Sequence, residues 1–338
     1  MAKHRVLTGV QATGYPHLGN YLGAIRPAIE LANQSENESL LFIADYHSLT
    51  AMQSPEQIKE GTLAVAASWL ASGLDPKKTI IYRQSDVPEI FELAWVLSCF
   101  SPKGLMNRAH AYKAKVALNQ EAGKSDLDDG VNMGLFNYPI LMAADILTFG
   151  ASMVPIGEDQ VQHLEIARDL VQKFNNTYGE VLVLPKFKVS SKIIVGLDGR
   201  KMSKSYGNTI PLFDEAKSLR KKVMKIKTDS SPPEAPKDPD DSLVFDLYKE
   251  VASPEQIQAL ADRYRVGIGW GEAKQELFEV LDAHLSEKRK VFNEYMTSPE
   301  KLESILKDGA KRARKLAQPI LRSVREAIGV GPYLASDS

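Results

Sequence analysis

Apolar and polar positions along the 338-residue chain change rhythm twice, and the changes predict its elements. Short β-branched or apolar runs bounded by glycine and polar residues fall at Arg5–Thr8, Ser39–Ala44, Lys78–Arg83, Met153–Ile156 and Val181–Leu184. These read as buried strands. Between them lie stretches with helical spacing: Leu18–Leu31 with a kink at Pro27, Pro55–Ser72, Val87–Phe100, Leu135–Phe149 and Gln160–Phe174. Strand and helix alternate, which predicts a parallel sheet with right-handed crossovers, hence an α/β, Rossmann-like doubly wound fold. The polar stretch Asn119–Gly130 reads as a mobile loop.

After Asp214 the strand signals cease. Leu212–Met224, Leu243–Val251, Pro254–Tyr264, Glu272–Met296 and Pro299–Ile328 read as helices, with proline-bearing 229–241 as a connection. The expectation is a catalytic unit over 1–210 and an all-helical C-terminal unit over 211–338. Basic residues on the latter (Lys217, Arg220, Lys221, Lys222, then Lys311, Arg312, Arg314, Lys315, Arg322, Arg325) suit RNA phosphates, although such runs also serve only to solubilise helices. A formal net charge of −1 gives no global pull on a polyanion, so any phosphate site must arise from local clustering. The lone Cys99, in an apolar helix, reads as a small core residue. Disulfides within one chain are excluded. No apolar leader or membrane-length run is seen, so a cytoplasmic protein without membrane contact is expected.

Two segments carry the chemistry. Thr8–Asn20 takes a strand through Gly9, Gly14 and Pro16 into a helix N-terminus, where free N–H groups and the helix dipole favour a phosphate. His17 and Asn20 share a face there, and Gly19 leaves room for a flat base or ribose. Far downstream, Lys201-Met202-Ser203-Lys204-Ser205 forms a cationic loop able to close on a pyrophosphate leaving group. Between them, Tyr138, Met142 and Asp145 share one face of an apolar helix, which suggests a pocket for a flat ring with Asp145 accepting from it. Asp145 could equally be a core carboxylate held by neighbouring donors. Gly157-Glu158-Asp159-Gln160 makes a second strand–glycine–helix junction, with carboxylates suited to a cation or ribose. His47 either lines this site or caps a turn, and His163 reads as part of a solvated face.

These segments resemble the paired signatures of class I aminoacyl-tRNA synthetases. Over the whole chain, His17–Ala24, Tyr138–Leu147, Val154–His163 and Lys201–Ser205 resemble the bacterial tryptophanyl enzymes more than the tyrosyl ones. The resemblance implies a homodimer that uses ATP with Mg²⁺ to activate L-tryptophan and passes the acyl group to tRNA(Trp). By the same resemblance, His17, Asn20, Lys201 and Lys204 act on the phosphates. Gln11, Ala12, Thr13, Gly19, Gly157, Glu158, Asp159, Ile193, Met202, Ser203 and Ser205 complete the ATP site. Asp145, Met142 and His47 meet the indole, while Tyr138 and Gln160 hold the ammonium. Dedicated protein ligands for a metal are not expected. Ala12-Thr13 departs from the usual Pro-Ser, and Tyr206-Gly207-Asn208 from Asp-Pro-Asn, which leaves local loop geometry open. The alternatives are a tyrosyl enzyme, another nucleotidyl transferase of this fold, or a non-catalytic synthetase-like paralogue. The last would be expected to have lost His17 or the lysine loop.

Overall fold

The computed structural model describes residues 4–52, 54–190 and 192–331. Five strands, β1 (His4–Gln11), β2 (Asn37–Ala44), β3 (Ile80–Arg83), β4 (Met153–Gly157) and β5 (Lys186–Ser190), form one sheet in the order β3-β2-β1-β4-β5. All four pairings between neighbouring strands are parallel. The order in which successive strands are added reverses between β1 and β4, and the crevice beyond their carboxyl ends is the ligand position of such folds.

The helices that cover the sheet follow the predicted alternation. The turn after β1 enters α1 (Leu18–Asn20), a π-turn over Tyr21–Ile25, and α2 (Arg26–Ala32). The expected kink at Pro27 is thus a widened turn just before it, because proline has no N–H to donate to the preceding turn. Next come α3 (Asp45–Ser48), α4 (Pro55–Ala71), α5 (Glu89–Phe100) and α6 (Lys103–Met106). Then follow α7 (His110–Glu121), α8 (Met133–Leu147) and α9 (Val161–Tyr178). The remainder is helical: α10 (Ala216–Val223), α11 (Leu243–Lys249), α12 (Pro254–Val266), α13 (Trp270–Thr297) and α14 (Pro299–Ile328).

The structure corrects several sequence expectations. The fifth strand is not Val181–Leu184 but Lys186–Ser190. Asn175 captures the backbone ahead of it, accepting from the N–H groups of Val181 and Leu182 and donating to the Leu182 carbonyl at 2.8 Å. The 119–130 stretch begins inside α7 and folds around buried Asn119, whose amide donates to the carbonyls of Leu127 and Asp129 at 2.9 and 2.8 Å. Cys99 lies on the exposed side of α5. His163 is buried, at 3% exposure, on the side of α9 that faces α8.

Helix α14 runs along the edge strand β3. A Cβ on Gly309 would lie 1.7 Å from the Ile81 carbonyl oxygen, so only glycine permits this approach. Three ion pairs fasten the helix: Arg83–Glu303, Arg314–Glu89 and Arg325–Glu92. Arg312 donates to the Pro76 carbonyl at 2.7 Å. Arginines 312, 314 and 325 therefore bind the protein's own surface, which corrects the reading that offered them to RNA.

Candidate active site

The turn after β1 is shaped by two glycines. Gly14 has φ +90°, a conformation that only glycine adopts freely. Gly61, inside α4, lets that helix press on the turn: a Cβ there would lie 2.4 Å from the Ala12 carbonyl oxygen and 2.8 Å from the Gly14 nitrogen. The Ala12 N–H donates to Ser48 Oγ at 3.0 Å, which ties the turn to α3 at the end of β2.

His17 caps α1. Its Nδ1 accepts from the Asn20 N–H at 3.3 Å, while Asn20 Oδ1 accepts from the His17 N–H at 3.0 Å. Burial, followed by the nearby Lys204 ammonium, lowers the His17 pKa to about 4. The ring is therefore neutral at pH 7. Because Nδ1 accepts, the proton sits on Nε2, which makes it a donor without net charge.

The lysine loop reaches this turn. Lys204 Nζ donates to the Thr13 carbonyl at 2.8 Å, and the Gly19 N–H meets Met202 Sδ at 3.1 Å. The Leu18 N–H donates to the Ile210 carbonyl at 2.8 Å, so the chain just after the loop is joined to the α1 entrance. The space beside Gly19 is filled by Met202 and the His17 ring, each 3.1 Å from where a Cβ would lie, rather than left open for a base. Asn208, buried at the loop's end, accepts from the Ser203 N–H at 2.8 Å and donates to Asp198 at 2.7 Å. Ser203 and Ser205 hydroxyls lie 2.8 Å apart. The Arg200 guanidinium stacks over Tyr206 at 4.5 Å, so the departing Tyr206-Gly207-Asn208 sequence has a geometry of its own. Ile193, at 63% exposure, stands just before the strand-like pairing of Val195 with Lys201.

Across the crevice, Asp145 is 1% exposed on α8. Its Oδ2 lies 2.7 Å from His47 Nε2, and its Oδ1 accepts from Gln84 Nε2 at 2.7 Å. Burial raises its pKa, and the His47 and Gln84 hydrogen bonds work against that rise. A carboxylate offers about four lone-pair directions, so two donors leave capacity for another. The His47 ring packs 4.5 Å from Tyr138, and Tyr138 lies 5.3 Å from His163. Burial, followed by the nearby Asp145 carboxylate, pushes the Tyr138 hydroxyl up to about 12, with the Gln11 side chain working against that rise. Gln160 accepts from His163 Nδ1 at 2.9 Å and donates to Asp159 at 3.1 Å. Met142, half-buried on α8, packs against the apolar core on this side of the sheet. Gly157, at the end of β4, leads directly into exposed Glu158 and Asp159.

The nucleotide candidates at the end of β1 and the amino-acid candidates on α8 thus flank the same crevice, with Gln11 the last residue of β1. Gln84 and Gly61 were not singled out from the sequence, and Asn208 entered only as part of the Tyr206-Gly207-Asn208 segment. Among the described residues, no group of three or more His, Cys, Asp or Glu side chains is placed to hold a metal.

A parallel sheet with its crevice at the β1–β4 reversal, a glycine-turned helix entrance and a lysine loop laid across it define a class I aminoacyl-tRNA synthetase. The family of class I tRNA synthetases for W and Y matches residues 1–286, and the chain belongs to it. Within the family its similarity is to the tryptophan enzymes. It is 52% identical over 334 residues to the tryptophan–tRNA ligase of Neisseria meningitidis serogroup A, covering 98% of this chain and 99% of that protein. A crystal structure of tryptophanyl-tRNA synthetase from Campylobacter jejuni complexed with ADP and tryptophan is 44% identical, with a TM-score of 0.88 over 96% of this chain and 100% of that one. A tyrosyl-tRNA synthetase from Archaeoglobus fulgidus complexed with L-tyrosine shares the fold at 20% identity, with a TM-score of 0.63 over 86% of this chain and 90% of that one.

Proposed function

We infer that the chain is a tryptophan–tRNA ligase, activating L-tryptophan with ATP and transferring the acyl group to tRNA(Trp). The observation that carries the site assignment is the contact between Lys204 and the Thr13 carbonyl, 191 residues apart in sequence. In the first step the tryptophan carboxylate attacks the α-phosphate of ATP, forming the mixed anhydride and releasing pyrophosphate. In the second, a hydroxyl of the terminal tRNA adenosine attacks the acyl carbon and AMP leaves.

The chemistry needs charge stabilisation and alignment more than a strong base. Neutral His17 donates from Nε2 to a phosphate oxygen, and Asn20 holds the imidazole in that tautomer. Lys201 and Lys204 neutralise the departing pyrophosphate, Lys204 exchanging the Thr13 carbonyl for phosphate oxygen. Mg²⁺ enters as part of the substrate, on the ATP phosphates. Gln11, Thr13, Gly157, Glu158, Asp159 and Ile193 border the nucleotide. Asp145 accepts the indole N–H, with Met142 and His47 against the ring and Tyr138 and Gln160 near the ammonium.

The proposed division is a catalytic unit over 1–210 and a helical unit over 211–338 that meets the anticodon arm. A homodimer is proposed as well, with Trp95, 73% exposed on α5, available to a second copy. No described helix is long and apolar enough to cross a membrane. Amino-acid-dependent ATP–pyrophosphate exchange over the twenty standard substrates tests the function. Exchange with tryptophan alone is expected, and exchange with tyrosine would overturn the substrate.

A further inference from the structure

We propose that Gln84 is a positioning residue for amino-acid selection: it pins one oxygen of Asp145 so that the remaining lone pairs of that carboxylate face the bound ring. The proposal rests on the reading in which Asp145 accepts the indole N–H.

Gln84 stands in a short 3₁₀ turn, Gln84–Asp86, directly after β3. It is completely buried. Its amide spans two elements: Nε2 donates to Asp145 Oδ1 on α8 at 2.7 Å, and Oε1 accepts from the His47 backbone N–H on α3 at 3.4 Å. The amide orientation is dictated by these partners. Reversing it would set oxygen against carboxylate oxygen and N–H against N–H. The network is closed by His47, whose ring holds the other Asp145 oxygen at 2.7 Å.

A carboxylate held at one oxygen can still turn about its terminal torsion, which is a broad one for aspartate. Held at both oxygens by groups on separate elements, it cannot. What remains is a fixed acceptor direction, which a ring N–H satisfies and an N-methylated ring does not. An acceptor buried so deeply also penalises any amino acid that leaves it unmet. Gln84 therefore acts on selectivity without touching the reacting atoms.

The experiment compares wild type, Gln84→Met and Asp145→Asn in pyrophosphate exchange with L-tryptophan and with 1-methyl-tryptophan, together with thermal unfolding. Methionine keeps the length of glutamine and removes the donor. For Gln84→Met, KM for tryptophan should rise roughly ten- to a hundredfold, the range for losing a hydrogen bond to a charged group. KM for ATP should stay within about twofold, and the preference for tryptophan over its methyl analogue should fall by a comparable factor. A loss shared equally by both amino acids and ATP would mean a merely structural role and overturn the proposal. Asp145→Asn abolishing the preference while Gln84→Met preserves it would overturn the Gln84 role and leave the Asp145 reading standing. An unchanged preference in Asp145→Asn would sink that reading itself. Should Gln84→Met fail to fold, Gln84→Glu, which keeps the shape, serves in its place. A shift in tryptophan KM alone supports the proposal, and wild-type preference refutes it.

Discussion

Replacing Gly61 by alanine tests whether the approach of α4 to the β1 turn shapes the nucleotide site. In a solvent-facing helix the substitution should stabilise by about 1 kcal/mol, because glycine is the poorer helix former. Here the added Cβ would lie 2.4 Å from the Ala12 carbonyl oxygen, 2.8 Å from the Gly14 nitrogen and 2.9 Å from the Ala12 carbonyl carbon. These are backbone atoms and cannot rotate aside. Ordinary contact begins near 3.4 Å, so helix and turn must part by about 1 Å. Overpacking of this kind costs about 1–3 kcal/mol, which cancels or exceeds the helical gain. The functional effect should be larger than the effect on stability. The turn carries both the Thr13 carbonyl that receives Lys204 and the Ala12 N–H anchored on Ser48. A shift of about 1 Å in a phosphate-aligning element can lower the rate about a hundredfold. Tryptophan-dependent pyrophosphate exchange, with ATP varied, should show raised KM for ATP and lowered kcat. Calorimetry should show Tm unchanged or reduced. A raised Tm with wild-type ATP kinetics would refute the reasoning.

Other perturbations probe separate parts of the molecule. Lys204→Ala should lower the activation rate roughly a hundredfold or more while leaving tryptophan affinity near wild type, since one preorganised donor to developing charge contributes on that scale. A pure binding defect, read by single-turnover adenylate formation against equilibrium dialysis, would refute a leaving-group role. Gly309→Ala should unseat α14 from β3 and lower Tm, because its Cβ meets backbone at 1.7 Å; unchanged unfolding would contradict the close packing. His17 and His163 both titrate near 4 in the folded protein, chiefly through burial. Their unfolded forms protonate near 6.5, so between those values the unfolded state holds more protons, and stability falls as pH drops from about 6.5 towards 4. Each contributes at most about 3 kcal/mol to that loss. Urea unfolding at pH 7 and pH 5 should show the fall, with a shallower slope in His163→Gln; parallel profiles would refute the assignment.

The features visible in the sequence were those with local causes. A strand entering a helix through Gly14 and Pro16 is marked by its residues wherever it occurs, and so is the strand ending at Gly157. The lysine loop was recognisable because its cations and flanking glycines are contiguous. Gln84 was hidden for the opposite reason: a single residue in a 3₁₀ turn has no periodicity, and its role arises only where β3 ends opposite α8. Gly61 looked like an indifferent helix position until the turn it supports was beside it. The basic run of α14 misled because spacing alone cannot tell which arginines face a sheet edge and which face water. Val181–Leu184 had strand-like residues, but Asn175 uses the backbone bonds that a neighbouring strand would need.

The position of α14 has a consequence for biosynthesis. All five strands lie N-terminal to residue 191, whereas the helix that shields the edge of β3 begins at Pro299. During translation the sheet can assemble while the 108 residues between Ser190 and Pro299 are still to be added, with an open hydrogen-bonding edge until α14 arrives. Such edges recruit other chains. A ribosome stalled before α14 should therefore carry a nascent chain prone to aggregate or to be held by chaperones, although every residue proposed for catalysis has already been made.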